Sequence, residues 1–154
     1  MGKICFLFGH RDAPSSVLPE IERAIEQIHL EYGIDEFIAG SHGAFDRMAA
    51  QAVRAVQKKY SVRLTLLLAY HPSTQNPDVA QGYDGIFYPD GMERVPPRYA
   101  LSRANQYMIG RAHAVICYAD HTGNAVALWQ RAVKQAAERG LIAVNLAVFS
   151  KKCI

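Results

Sequence analysis

Three short loops of this 154-residue chain hold residue types suited to gripping an anion. Gly9-His10-Arg11-Asp12 follows an apolar run, and Arg11 offers a planar positive fork that matches a phosphate or a carboxylate. Gly40-Ser41-His42-Gly43-Ala44-Phe45-Asp46 joins the end of one apolar run to the start of a helical pattern. Its two glycines allow close backbone approach. The free amides of the helical turn that follows, with the helix dipole, attract an anion such as phosphate. Thr122-Gly123-Asn124 opens a further helix and offers a second such terminus. Each feature has a plainer reading. Asp46 caps the amides of its own helix, Arg11 pairs with Asp12 or Asp46, His10 is a polar loop residue, and Thr122 or Asn124 is a helix cap. Arg103, Asn105 and Tyr107 lie on a later helix, where Arg103 and Tyr107 share a face at a spacing of four. Arg103 either reaches the site or decorates the surface.

Other chemistries find less support. The glycine spacing fits neither GxGxxG nor a P-loop. His10, His42, His71 and His121 fall at loops after strands, but no HxxxH or HExxH pair joins them, so no metal is expected. No serine sits in GxSxG and no cysteine has an evident base, so nucleophilic catalysis is not expected.

Alternating strands and helices must position these loops. Ile4–Phe8 reads as a buried strand, then a helix capped by Ser15 or Ser16 carries Leu18, Ile21, Ile25 and Ile28 at helical spacing and closes at Gly33. Glu36–Ala39 is a second strand, and a helix with Phe45, Met48, Ala49, Ala52, Val53 and Val56 on one face follows the glycine turn. Arg63–Tyr70 is a third strand. Tyr99–Arg111 is a helix, Ala114–Tyr118 a fourth strand, Asn124–Arg139 a helix stopped by Gly140, and Ile142–Leu146 a fifth strand. Uniformly apolar strands alternating with helices imply an α/β fold: a three-layer α/β/α sandwich around an open parallel sheet of about five strands, with the order 3-2-1-4-5 taken as the expected one. Ligands of such sheets bind beyond the carboxyl ends of the strands, where the order reverses. The loops at Gly9 and Thr122 meet there, with the Gly40 loop beside them. One stretch breaks the rhythm. His71–Arg98 contains five of the seven prolines, with Gly82, Gly85 and Gly91. It reads either as a functional segment or lid, or as a surface excursion with a short extra strand at Gly85–Tyr88.

Composition narrows the partners. Lys+Arg 17 against Asp+Glu 14 gives +3, without a clustered run, so a nucleic-acid partner held by phosphate neutralisation is not expected. No apolar stretch approaches the ~20 residues of a membrane span. The opening apolar run is too short for a signal peptide. Cys5, Cys117 and Cys153 are odd in number and lack CxxC spacing. The expectation is one domain over residues 1–154, cytoplasmic and free of disulfides.

Phe8-Gly9-His10-Arg11, the Gly40–Asp46 turn, and Arg103-Ala104-Asn105-Gln106-Tyr107-Met108-Ile109 together resemble the SLOG superfamily, over about Lys3 to Leu146. That group includes the Rossmann domain of DNA-processing protein A (Smf), the YpsA-like proteins and the Lonely-guy phosphoribohydrolases; the small bacterial YpsA-like branch looks most similar. The resemblance implies a Rossmann-like domain that binds or senses a nucleotide or nucleotide-derived small molecule, with no certain cofactor, and a homodimer in which Tyr99, Tyr107 and Trp129 are candidate contacts. The family's GGARGxD-type turn maps onto Gly40–Asp46, with Ser41-His42 in place of the second glycine and its neighbour. The site implied is Gly9, His10, Arg11, Gly40, Ser41, His42, Gly43, Asp46, Arg103, Thr122, Gly123 and Asn124. The phosphoribohydrolase branch carries PGGxGTxxE after the fourth strand. Here Asp120–Ala127 reads DHTGNAVA, without the double glycine or the glutamate. Hydrolysis of an N-glycosidic bond, the alternative function, needs a carboxylate to stabilise an oxocarbenium-like centre. Asp90 or Glu93 supplies one only if the long segment folds over the pocket. A single-stranded DNA-binding module is the third reading.

Overall fold

The computed structural model describes residues 2–147; Cys153 lies outside the described residues. The elements are β1 (Lys3–Gly9), α1 (Leu18–Tyr32), β2 (Ile34–Ala39), α2 (Ala44–Gln57), β3 (Arg63–Leu67), β4 (Gly85–Phe87), α3 (Pro97–Arg111), β5 (Ala114–Tyr118), α4 (Asn124–Arg139) and β6 (Ile142–Asn145). The strands form one parallel sheet in the order β4-β3-β2-β1-β5-β6. The expected five strands therefore gain a sixth at one edge, and the other five keep their expected order. The reversal lies between β1 and β5, where Gly9 pairs with Tyr118.

Burial on both faces explains why the strands read as continuous apolar runs. Cys5 and Leu7 point into the core beneath α1 and α2, whereas Phe6 and Phe8 point into the core beneath α3 and α4. Cys5 and Cys117 fall in different cores, and burial pushes both thiols well above their ordinary range. The helix stops are as the sequence implies. Gly33 (φ 69°) and Gly140 (φ 77°) take the left-handed conformation and donate to His29 O and Ala136 O. The Arg139 guanidinium donates to Ile109 O at 2.8 Å and Ala112 O at 2.9 Å, so α4 caps the end of α3.

The start of α1 differs from expectation. Ser15–Val17 forms a 3-10 turn in which Val17 N–H donates to Pro14 O, and neither serine caps the helix. The serines lie inside a turn rather than ahead of the first helical residue.

The 71–98 segment is a crossover along the sheet edge. It holds three short 3-10 turns and β4. The Asp84 carboxylate fixes it, accepting from Leu64 N–H at 2.8 Å and Gln57 Nε2 at 2.7 Å. The extra-strand reading is the one observed, over Gly85–Phe87. Among the described residues no helix is long and apolar enough to cross a membrane.

Candidate functional site

A cleft of about 260 Å³ opens at the carboxyl ends of the strands, near the lower end of the ~300–1,000 Å³ usual for ligand pockets. Two glycines let its first two loops interlock. A Cβ on Gly9 would lie 2.5 Å from Cγ of Phe45, and one on Gly43 would lie 2.7 Å from Cα of Arg11. Ala44 N–H then donates to Arg11 O at 2.9 Å. The loop after β1 thus rests directly on the start of α2.

His10 joins the third loop. Its ring is buried, and Nε2 accepts from the backbone N–H of Asp120 at 3.0 Å and of His121 at 3.3 Å. The ring stacks on His121 at 3.6 Å. An Nε2 that accepts places the proton on Nδ1, so this histidine is neutral. Burial, and then the neighbouring His121, push its pKa below the ordinary value of 6.5, against the pull of Asp120 and Asp12. The plainer reading, a polar loop residue, describes it better than a ligand donor does. The sign of its pH effect follows. Above about pH 6.5 its stabilisation is whole; as pH falls through that value towards the lower folded pKa, the unfolded chain takes up the proton first and stability is lost. His10→Gln keeps an acceptor in reach but does not titrate. Denaturation at about pH 7.5 and about pH 5.5 is expected to show the wild type losing stability relative to that variant. An unchanged gap between the two proteins refutes the neutral assignment.

His121 closes the mouth: Nδ1 meets Asp120 Oδ1 at 2.7 Å and Nε2 meets Asp12 Oδ1 at 3.5 Å. His10, Asp120 and His121 bring ligand atoms within 4.8 Å of one another. The two rings are nearly parallel, however, and His10 Nε2 already takes two amides, so their lone pairs do not converge on one ion.

Asp46 forms part of the cleft wall below Gly40. Its Oδ2 accepts from His42 N–H at 2.8 Å, ahead of the helix, and the α2 terminus at Gly43 has no side-chain cap, so Asp46 does not cap the first-turn amides as expected. Burial pushes its carboxyl above the ordinary range, opposed by that hydrogen bond and by the charges of His42, Arg11 and Arg47. Arg11 lines the same cleft and forms no ion pair among the described residues, so the salt-bridge reading is set aside.

Of the twelve expected residues, Gly9, His10, Arg11, Gly40, His42, Asp46 and Asn124 line the cleft. Gly43 lies beneath Arg11, and Ser41 is exposed. Gly123 is the N-cap of α4 at φ 143°, with no side-chain cap, so neither Thr122 nor Asn124 takes that role. Thr122 instead faces a neighbouring groove with Val126 and Trp129. Arg103 is exposed and outside the cleft, while Leu101 and Asn105 of the same helix line it. The helical phase carried that signal. Ala104 and Met108 are buried, so residue 103 turns outward and 101 and 105 flank the inward side. Asp12 and His121 also line the cleft and were missing from the expected set. Asp90 and Glu93 do not line it, so the lid that would bring a carboxylate over the pocket is absent among the described residues.

No protein-family model and no curated protein matches the chain. Solved structures do. DNA processing protein A from Streptococcus pneumoniae superposes with a TM-score of 0.65 at 17% identity, over 88% of this chain and 48% of that one. A molybdenum cofactor binding protein from Rippkaea orientalis gives 0.56 at 14% identity, over 94% and 89%. DNA processing protein A from Helicobacter pylori, described for its single-stranded DNA binding mode, gives 0.54 at 15% identity, over 98% and 80%. The chain shares the Rossmann-like α/β fold of these structures. It spans about half the length of the Streptococcus pneumoniae protein. In this sheet the cleft falls at the β1/β5 reversal, the crevice where open α/β sheets take their ligands.

Proposed function

We propose that the cleft binds a nucleotide or nucleotide-derived ligand, with the phosphate at the start of α4 beside Arg11. The observation that carries this reading is Arg11, a cleft-lining guanidinium without an ion pair among the described residues. Two helix N-termini without side-chain caps, at Gly43 and Gly123, lie at the loops that frame the cleft. They are not equivalent. The amide of His42 ahead of α2 already serves the Asp46 carboxylate, which repels a second anion. The first turn of α4 holds no acidic residue, so its amides are the better phosphate seat. On the Gly9-His10-Arg11 start and the Gly40–Asp46 turn, we place the chain in the YpsA-like branch, as a cytoplasmic protein.

Thermal shift with single nucleoside monophosphates, set beside inorganic phosphate, tests the proposal. A ligand at ~100 times its dissociation constant adds about 2.7 kcal/mol, an evident rise in melting temperature. If neither nucleotides nor phosphate stabilise the protein, the reading is wrong.

A single-stranded DNA partner is favoured by a different observation. Helix α3 carries exposed Arg98, Arg103 and Arg111 and no acidic residue. Binding that weakens steeply with salt and is lost in the triple Arg→Ala variant supports that partner; nucleotide binding indifferent to these substitutions removes it. For N-glycosidic hydrolysis the cleft offers the carboxylates of Asp12 and Asp46, and release of free base from nucleoside monophosphates decides it. A homodimer finds its best contact in Tyr99, half exposed, since Tyr107 and Trp129 pack against the core.

A further inference from the structure

We propose that Asp46 makes the α2 end of the cleft a diol pocket, selecting ligands with vicinal hydroxyls, as ribose has and 2-deoxyribose has not. The inference rests on the nucleotide reading above and adds the identity of the sugar to it. Asp46 Oδ2 is fixed by His42 N–H at 2.8 Å, and Oδ1 accepts no hydrogen bond among the described residues, although the side chain lines the cleft. Oδ1 is therefore accessible from the cleft, and an ionised carboxylate accepts but never donates, so a ligand must bring it donors. Hydroxyl groups supply them, whereas phosphate oxygens have none to give and repel it. Two adjacent hydroxyls can engage both carboxylate oxygens, a geometry that one hydroxyl cannot match.

The surroundings favour the same assignment. A Cβ at Gly40 would stand 3.1 Å from Asp46 Oδ2, so glycine there leaves the carboxylate open to approach. Asn105 of α3 lines the same cleft and offers both an amide donor and a carbonyl acceptor to a sugar. Arg11 borders Asp46 electrostatically without pairing with it, so a cation seat and an anion seat lie side by side. A ribose 5-phosphate unit has the matching polarity, with its charge at one end and its hydroxyl donors at the other.

Calorimetric titration with the four ribonucleoside 5′-monophosphates and their 2′-deoxy counterparts tests this. The wild type is expected to bind its best ribonucleotide about tenfold more tightly than the deoxy form. Asp46→Asn, which keeps an acceptor for His42 N–H, is expected to bring the two within about twofold. Equal affinity of the two series for the wild type overturns the diol pocket and leaves the nucleotide reading intact. A preference that persists undiminished in Asp46→Asn overturns the role of Asp46. Absence of binding by either series removes both readings. The wild-type comparison needs no variant, so it decides the matter even if Asp46→Asn folds poorly.

Discussion

Gly9→Ala is expected to cost about 2–3 kcal/mol in urea denaturation, a large loss for one methyl group. The backbone of Gly9 is not in the left-handed region, so the cost is contact rather than conformation. The added carbon would lie 2.5 Å from Cγ and 2.7 Å from Cδ2 of Phe45. Phe45 cannot yield easily, because its ring is fully buried in the core beneath α1 and α2. Removing the ring is costly in itself: Phe45→Ala is expected to lose about 3–5 kcal/mol. The two losses should not add. With the ring gone, Gly9→Ala is expected to cost under about 1 kcal/mol, a coupling of about 2 kcal/mol in a double-mutant cycle. Additive losses would mean that Gly9 is a glycine for some other reason. The contact matters beyond stability, since it seats the loop holding His10 and Arg11 on the first turn of α2.

The same contact marks what the sequence could and could not express. Apolar runs placed β1, β2 and β5, the first two closed by Gly9 and Gly40, because strands buried on both faces leave that trace. Alternation and handedness give a parallel sheet; its order, which they leave open among doubly wound sheets, is assumed as 3-2-1-4-5, and that assumption locates the reversal and its loops. Interactions across the fold were not legible. A histidine after β1 shows no sign that the amides of Asp120 and His121, about 110 positions away, will converge on its Nε2. Strand β4 is three residues long and begins with glycine, so the sequence offered it only as one of two readings of the segment; the Asp84 carboxylate on Leu64 N–H and Gln57, which decides between them, has no local trace. The caps failed for a related reason. Asn124 and Ser15 are favourable cap types, but Gly123 at φ 143° and the 3-10 turn at Ser15–Val17 occupy the entry to each helix. Arg103 was a different kind of miss. The phase of Ala104 and Met108 turns it to the exposed face of α3, and its charge alone says nothing of which face it occupies.

Arg11→Ala is expected to weaken nucleoside monophosphate binding by about 10–100-fold, the worth of roughly 1.5–3 kcal/mol in charge-assisted hydrogen bonds. The ligand-free protein should melt within about 0.5 kcal/mol of the wild type, the usual range for an exposed side chain outside any network. The structure separates these effects. Arg11 ties the loops together through its backbone, by accepting from Ala44 N–H and lying over Gly43, and both features survive loss of the guanidinium. The side chain itself is exposed and holds no ion pair among the described residues, so little in the empty protein depends on it. Arg11→Lys keeps the charge but not the planar fork, and should fall between the two. Affinity in Arg11→Ala should also depend less on salt, since one cation no longer contributes to the attraction. Wild-type affinity in Arg11→Ala would move the phosphate away from this loop, and the amides at the start of α4 would then have to hold it alone.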